Sequence, residues 1–380
     1  MKRIEAFFAL IRAGLWAADG DDAQLGVDLF KEATEEDWEA LYRMAVSQTL
    51  VAICFDGVQR LPMSYRPQRA LYLQWAAKTA QVENANRRLN EMVNRVVKLC
   101  TSKGIRPVLL KGQAMAACYE VPLHRQCGDI DLFVGRADAE RTVQLLEEAG
   151  AKPSGEVSYK HTCLVWEGIH LEIHRMVGRL NAPLANHHMQ RWVREWYPHS
   201  IGWRQEMPVP DQQFELFFIF QHAFMHFLNS GIGLRQLCDW ARLLYTLHRQ
   251  VEVQALEGPL RQMGLFRAAQ VFGSILVHQL GLPAEAIPFV SAKHPALEQL
   301  LMEEIFSTGN FGQWDTRIAP RPKGYWRGKW HTFTRALRRC RTLYQFAPAE
   351  ACFYPLVLIQ GTLIIQYNRL RSKLLPYVHA

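Results

Sequence analysis

The chain has 380 residues and a mass of 43.8 kDa, too many for one minimal domain and enough for a core domain with substantial additions. Hydrophobic residues at 49% and charged residues at 21%, with 24 Gly and 18 Pro, exclude the disordered, collagen-like and low-complexity classes. The net charge of +8 is a local patch, because nine cations between Arg317 and Arg341 meet no acid there while the remainder carries 35 basic against 36 acidic residues.

The N-terminus, MKRIEAFFALIRAGLW, begins with positive charge, but Glu5 and Arg12 interrupt its apolar run. An amphipathic opening helix is expected there rather than a signal peptide. The first ninety or so residues read as helices. Trp38, Leu41, Tyr42 and Ala45, then Leu50, Ile53 and Cys54, recur at helical spacing, with Glu35, Glu36 and Asp37 suited to a helix start. After a break at Leu61-Pro62, the series Leu89, Met92, Val93, Val96, Val97 and Cys100 predicts a long helix that ends at Ser102-Lys103-Gly104.

The pattern then changes. Ile105–Leu110 reads as a buried strand and Gln113–Tyr119 as a helix; Ile130–Val134 is a second strand, followed by a helix from Asp138 to Ala149. Thr162–Trp166 and Ile169–Met176 read as strands joined by a Glu167-Gly168 hairpin turn. His187, His188, Trp192, Trp196 and Tyr197 fall on a connecting segment and are expected to pack. Beyond Met207 the chain reads as helical again, in Phe214–Leu228, Leu234–Leu247 and Pro259–Leu280. The longest apolar stretch, Cys352–Tyr367, includes Gln360 and Gln366 and falls short of the roughly 20 residues of a spanning helix. It predicts a buried C-terminal helix and no transmembrane segment. Eight scattered cysteines, without a C-x-x-C pair, read as reduced thiols of a cytoplasmic protein. The expected class is α+β, with a small mixed-sheet core (91–206) between an N-terminal helical region (1–90) and a C-terminal helical region (207–380).

The chemistry concentrates in Gly128-Asp129-Ile130-Asp131-Leu132-Phe133-Val134. Side chains alternate faces along a strand, so Asp129 and Asp131 project together while Ile130 and Leu132 enter the core. Adjacent carboxylates repel each other, and divalent cations with oxygen ligands relieve that repulsion. In Ile169-His170-Leu171-Glu172-Ile173-His174 the same alternation puts His170, Glu172 and His174 on one face. Glu172 completes the cluster if its strand lies beside the aspartate strand. Upstream, Lys111-Gly112 ends a strand and opens a helix, a junction able to hold phosphate through close backbone approach and a mobile cation.

The order Leu109-Leu110-Lys111-Gly112, Arg125 with Gly128-Asp129-Ile130-Asp131, and Glu172 before His174 resembles the largely uncharacterised nucleotidyltransferase family within the DNA-polymerase-beta-like superfamily. The helix before Gly104, His222-Ala223-Phe224-Met225-His226 and the stretch Gly231 to Trp240 are similar to that family's helical surroundings. The resemblance spans about Trp38 to Leu247 and implies a nucleotidyltransferase core. It implies that Asp129, Asp131 and Glu172 are catalytic and hold magnesium, with manganese as the substitute. Lys111, Gly112, Arg125 and Gly128 would hold the phosphates of a nucleoside triphosphate, ATP in the first instance. Attack of an acceptor hydroxyl on the α-phosphorus would then release pyrophosphate. The acceptor is a small molecule, a protein or an RNA end. The superfamily's usual Gly-Ser phosphate turn is here Lys111-Gly112-Gln113.

Around this constellation the residues leave alternatives open. His222 and His226, one helical turn apart without the glutamate of H-E-x-x-H, read as core or pocket-lining. Arg235 and Asp239 are spaced for an intrahelical ion pair of about 0.2–0.5 kcal/mol or for shaping the acceptor pocket. His170 and His174 read either as support for Glu172 or as polar strand surface. The basic segment 317–341, with Tyr325, Trp326, Trp330 and Phe333 among its cations, is either a solvated face or a surface for a phosphate-rich partner. It carries the alternative function, an RNA-binding or partner-binding protein on a catalytically idle transferase core.

Overall fold

A computed structural model describes residues 1–16, 26–155, 158–229, 231–290, 294–309 and 324–374, with the backbone alone at 342, 364, 365 and 367–374. Helix α1 (Arg3–Leu15) buries Phe7, Phe8, Leu10, Ile11 and Leu15. Its apolar residues surround it, so it is a core helix rather than the amphipathic one expected. Thr34 caps α2 (Glu35–Ser47) in a reciprocal arrangement: its hydroxyl accepts from the Asp37 amide, and the Asp37 carboxylate accepts from the Thr34 amide. Helix α3 (Val51–Arg60) crosses α1 without room for side chains, since a Cβ on Gly57 would stand 2.3 Å from the Leu10 carbonyl oxygen. Helix α4 (Arg69–Ser102) is 34 residues long.

The sheet is built from β1 (Val108–Leu109), β2 (Asp129–Phe133), β3 (Lys152–Pro153), β4 (His161–Trp166) and β5 (Ile169–His174), in the order β1-β2-β5-β4-β3. β2 and β5 run parallel and the other neighbours antiparallel, giving a mixed sheet in an α+β fold. β1 is shorter than the run Ile105–Leu110, which contains Pro107 and its missing donor, although the Leu110 amide still reaches the Asp131 carbonyl at 3.1 Å. Helix α5 (Gln113–Ala116) is a single turn where a helix to Tyr119 was expected, and it continues as tight turns through Cys118 and Tyr119. Helix α6 (Gly135–Glu148) joins β2 to β3.

One face of the sheet is packed. Ile130 and Leu132 of β2, Leu164 of β4 and Leu171 and Ile173 of β5 share a core with Leu89, Met92 and Val96 of α4 and Leu146 of α6. The opposite face carries Asp129, Asp131 and Glu172. Helix α7 (Pro183–Trp196) includes His187, His188, Trp192 and Trp196, so these residues are helical rather than on a loop; Trp192 and Trp196 pack on Phe214. A small ribbon, β6 (Gly202–Arg204) and β7 (Met207–Val209), leads into the second helical part.

That part comprises α8 (Gln212–Asn229), α9 (Leu234–Leu247), α10 (Glu257–Gln262), α11 (Phe266–His278), α12 (Pro295–Thr308), α13 (Tyr325–Leu343) and α14 (Pro348–Leu374). The single helix expected over Pro259–Leu280 is two, because the backbone turns between Met263 and Leu265 with Gly264 at φ 70°. The C-terminal helix is not buried as its apolar composition suggested: Phe353, Leu356, Ile359 and Leu363 of α14 are exposed. Its start is fixed by the fully buried Glu350, which accepts from the amides of Asn181 and Ala182 at 2.7 and 3.0 Å. Of the basic segment 317–341, residues 317–323, with Arg317, Arg321 and Lys323, lie outside the described residues, and the other six cations lie on α13. All eight cysteines are free thiols. No helix among the described residues is long and apolar enough to cross a membrane.

Candidate active site

The parallel register of β2 and β5 sets Asp129 beside His170 and Asp131 beside Glu172. One oxygen from each of Asp129, Asp131 and Glu172 lies within 4.8 Å of the others. The three residues therefore meet on the face of the sheet opposite α4 and α6, beneath the cavity walled by His222 and His226 of α8. Asp131 is fully buried, whereas Asp129 and Glu172 reach solvent.

Charge within this cluster is compensated from two sides. Lys111, on the turn after β1, brings Nζ to 3.0 Å from Asp131 Oδ2 and 3.9 Å from Asp129 Oδ2. His174 Nε2 lies 3.0 Å from Asp131 Oδ1 and 3.2 Å from Glu172 Oε2. Burial opposes the Asp131 carboxylate, but Lys111 and His174 outweigh it and its pKa is lowered. The negative charge of Asp131, followed by burial, raises the pKa of Asp129. Burial likewise opposes the charged forms of Lys111 and His174, and their acidic neighbours raise both pKa values nonetheless. Asp131 Oδ2 is buried, with the Lys111 ammonium at 3.0 Å beside it. Three carboxylates that converge in this way, one of them buried, fit a divalent cation with oxygen ligands.

The Lys111-Gly112 turn is held close to the cluster. Gly112 has φ 66°, and a Cβ on it would come within 3.3 Å of the Asp129 carbonyl oxygen, so a larger residue there is strained. Gln113 fastens the turn to α4 by donating to the Asn86 carbonyl at 3.1 Å and to Asn90 Oδ1. Asn86 in turn donates to the carbonyls of Leu123 and Arg125. A Cβ on Gly128 would meet nothing within 4 Å, leaving that wall open.

Arg125 and Asp239 form a buried ion pair through two hydrogen bonds of 2.8 and 2.6 Å. Tyr119 also donates to Asp239, at 2.7 Å. The intrahelical partnership expected for Asp239 thus gives way to one with Arg125, while Arg235 donates to the Gln126 carbonyl at 2.8 Å. Two cavities adjoin the cluster and share Lys111, Asp129, Glu172 and His222 in their walls. One, of about 290 Å³, adds Gly112, Gly128, Arg125 and Asp239; the other, of about 400 Å³, adds His161, His174 and His226. His222 and His226 are thus pocket-lining, with ring centres 4.5 Å apart, and burial lowers the pKa of both, that of His226 to about 3.

Sequence reasoning missed three contributors. His161 faces His174 across the hairpin, a placement encoded in the two-residue turn at Glu167-Gly168. Tyr119 and the Asn86–Gln113 network carry no local signal, because their partners are distant in the chain.

Among curated proteins none matches the chain, and among solved structures none does. A family model described as "Uncharacterised nucleotidyltransferase" matches residues 34–281. That span includes α4, the Lys111-Gly112 turn, all three carboxylates and the helices that wall both cavities, and it exceeds half the chain, so the protein belongs to this family of nucleotidyltransferases.

Proposed function

We propose that the protein transfers a nucleoside monophosphate from a nucleoside triphosphate, with ATP as the expected donor, to an acceptor hydroxyl, releasing pyrophosphate. The observation that carries this reading is the side-by-side placement of Asp131 and Glu172 with Asp129, one oxygen from each lying within 4.8 Å of the others. Asp129, Asp131 and Glu172 would hold Mg²⁺ or Mn²⁺. The metal supplies neutralisation of charge that builds on the attacking and leaving oxygens.

The chain's own residues supply position. Gly112 and Gly128 leave backbone exposed to the phosphates, and Lys111 adds positive charge at the edge of the cluster. Arg125 acts on that wall by charge, its guanidinium being fixed by Asp239. The acceptor oxygen bonds to the α-phosphorus as the bond to pyrophosphate breaks, and Glu172 helps to take up the hydroxyl proton. His174, which contacts Asp131 and Glu172 together, orients both carboxylates. His222, His226, Arg235 and Asp239 shape the pocket walls, and the acceptor is a small molecule, a protein or an RNA end. The division into residues 1–90, 91–206 and 207–380 belongs to the same proposal.

Asp129→Asn combined with Asp131→Asn is expected to abolish pyrophosphate release with circular dichroism unchanged. Full activity in that variant rejects the reading. The alternative, RNA or partner binding on an idle core, is favoured by α13, where Trp326 and Trp330 are exposed between cations. Salt-dependent RNA binding without turnover of any nucleoside triphosphate would select it.

A further inference from the structure

Glu172 also belongs to a second set of donors. The antiparallel pairing of β4 and β5 brings His161 opposite His174, and both imidazoles share the face that carries Glu172. His174 Nε2 lies 3.2 Å and His161 Nδ1 3.5 Å from the same oxygen, Glu172 Oε2. One donor atom from each of the three residues lies within 4.8 Å of the others. Ligands at the usual zinc distances of about 2.0–2.2 Å in a tetrahedron stand about 3.3–3.6 Å apart, so two of the three separations need little or no adjustment.

His161 Nδ1 is buried and has no hydrogen-bond partner. An orphaned ring nitrogen costs free energy unless its lone pair or its proton is engaged. Two imidazoles and one carboxylate suit zinc, cobalt or nickel, whereas magnesium takes oxygen ligands. The set borders the cavity of about 400 Å³, which leaves a coordination position for water, as in exchangeable rather than closed sites.

We propose that His161, Glu172 and His174 bind a zinc-class transition-metal ion at a site that shares Glu172 with the Asp129–Asp131 cluster. An ion there takes the place of the His174 Nε2 proton, which leaves to solvent. The contact of that nitrogen with Asp131 Oδ1, at 3.0 Å, is then lost, and Glu172 is drawn from the catalytic cluster. Occupation therefore inhibits turnover. The inhibitory consequence rests on the reading under Proposed function, whereas binding rests on the donor set alone.

The test titrates Co²⁺ into the full-length chain and follows visible absorption, with Zn²⁺ as competitor. One equivalent should give the strong bands of a four- or five-coordinate ion, bleached by Zn²⁺ and retained in Asp129→Asn. The bands should vanish in His161→Ala, and His161→Gln should weaken binding by at least the roughly 10–100-fold that an outer-shell partner is worth. Metal-free melting of both His161 variants reports their folding. Bands unchanged in His161→Ala, bands lost in Asp129→Asn, or only the weak bands of an octahedral ion overturn the site. Pyrophosphate release is read separately: turnover unaffected by Zn²⁺ at concentrations that bleach cobalt overturns the inhibitory role. Absence of turnover under all conditions sinks the transferase reading and leaves the cobalt result standing.

Discussion

Arg125 and Asp239, 114 residues apart in sequence, meet below the site with Nε 2.8 Å from Oδ1 and Nη2 2.6 Å from Oδ2. Both side chains are almost wholly buried. Loss of one partner strands a charge away from water, so Arg125→Ala is expected to lower unfolding free energy by about 3–5 kcal/mol in urea titrations. The double variant Arg125→Met with Asp239→Leu should cost less than the sum of its parts. Additive losses would show that the pair contributes no coupling.

Divalent metal should stabilise the fold through the carboxylate cluster. A ligand at 100 times its dissociation constant contributes about 2.7 kcal/mol when it binds only the native state. Thermal melts in Mg²⁺ should therefore rise with concentration in the natural chain and stay flat in Asp131→Asn. An equal shift in both proteins would place the binding elsewhere.

Much of this site was legible, and the reasons differ by residue. Period-two alternation put Asp129 with Asp131, and Glu172 with His174, because a strand's faces follow from its backbone alone. The adjacency of β2 and β5 was not readable, since parallel pairing depends on how the intervening helix and hairpin fold back. His161 was within reach, because a two-residue turn fixes which residues face each other. Asp239 pointed by spacing to Arg235, and tertiary packing gave it Arg125 instead. The exposed side of α14 was misread because an apolar composition does not reveal whether a neighbour is present.

Asn86 ties α4 to the loop that precedes β2, through hydrogen bonds of 2.7 Å to the Leu123 carbonyl and 2.9 Å to the Arg125 carbonyl. Asn86→Ala removes both, leaving the Arg125 carbonyl only the weak Cys127 thiol donor, an expected cost of about 1–3 kcal/mol. Because that loop carries Arg125 toward the site, KM for the nucleotide should rise. Chemical denaturation and steady-state kinetics check the two effects; unchanged KM would separate the loop from binding.

Acid should loosen the N-terminal helices through Asp37. The hydrogen bond from Arg3, then that from the Thr34 amide, lowers its pKa to about 2. Because the folded value lies below the unfolded one of about 3.9, the stabilisation is present above pH 4 and disappears as pH falls toward 2. Urea midpoints between pH 2 and 5 should fall less steeply in Asp37→Asn than in the natural chain. Parallel curves would remove Asp37 from the acid response.

The abreast pairing of Asp131 with Glu172 makes the chemistry depend on the parity of a strand. One residue inserted into β5 ahead of Glu172 turns that carboxylate through the sheet into the apolar layer beneath, whereas two return it to the same side one step along. Lengthening this strand should therefore be harmful in alternation, odd insertions erasing the acidic triad and even ones only displacing it.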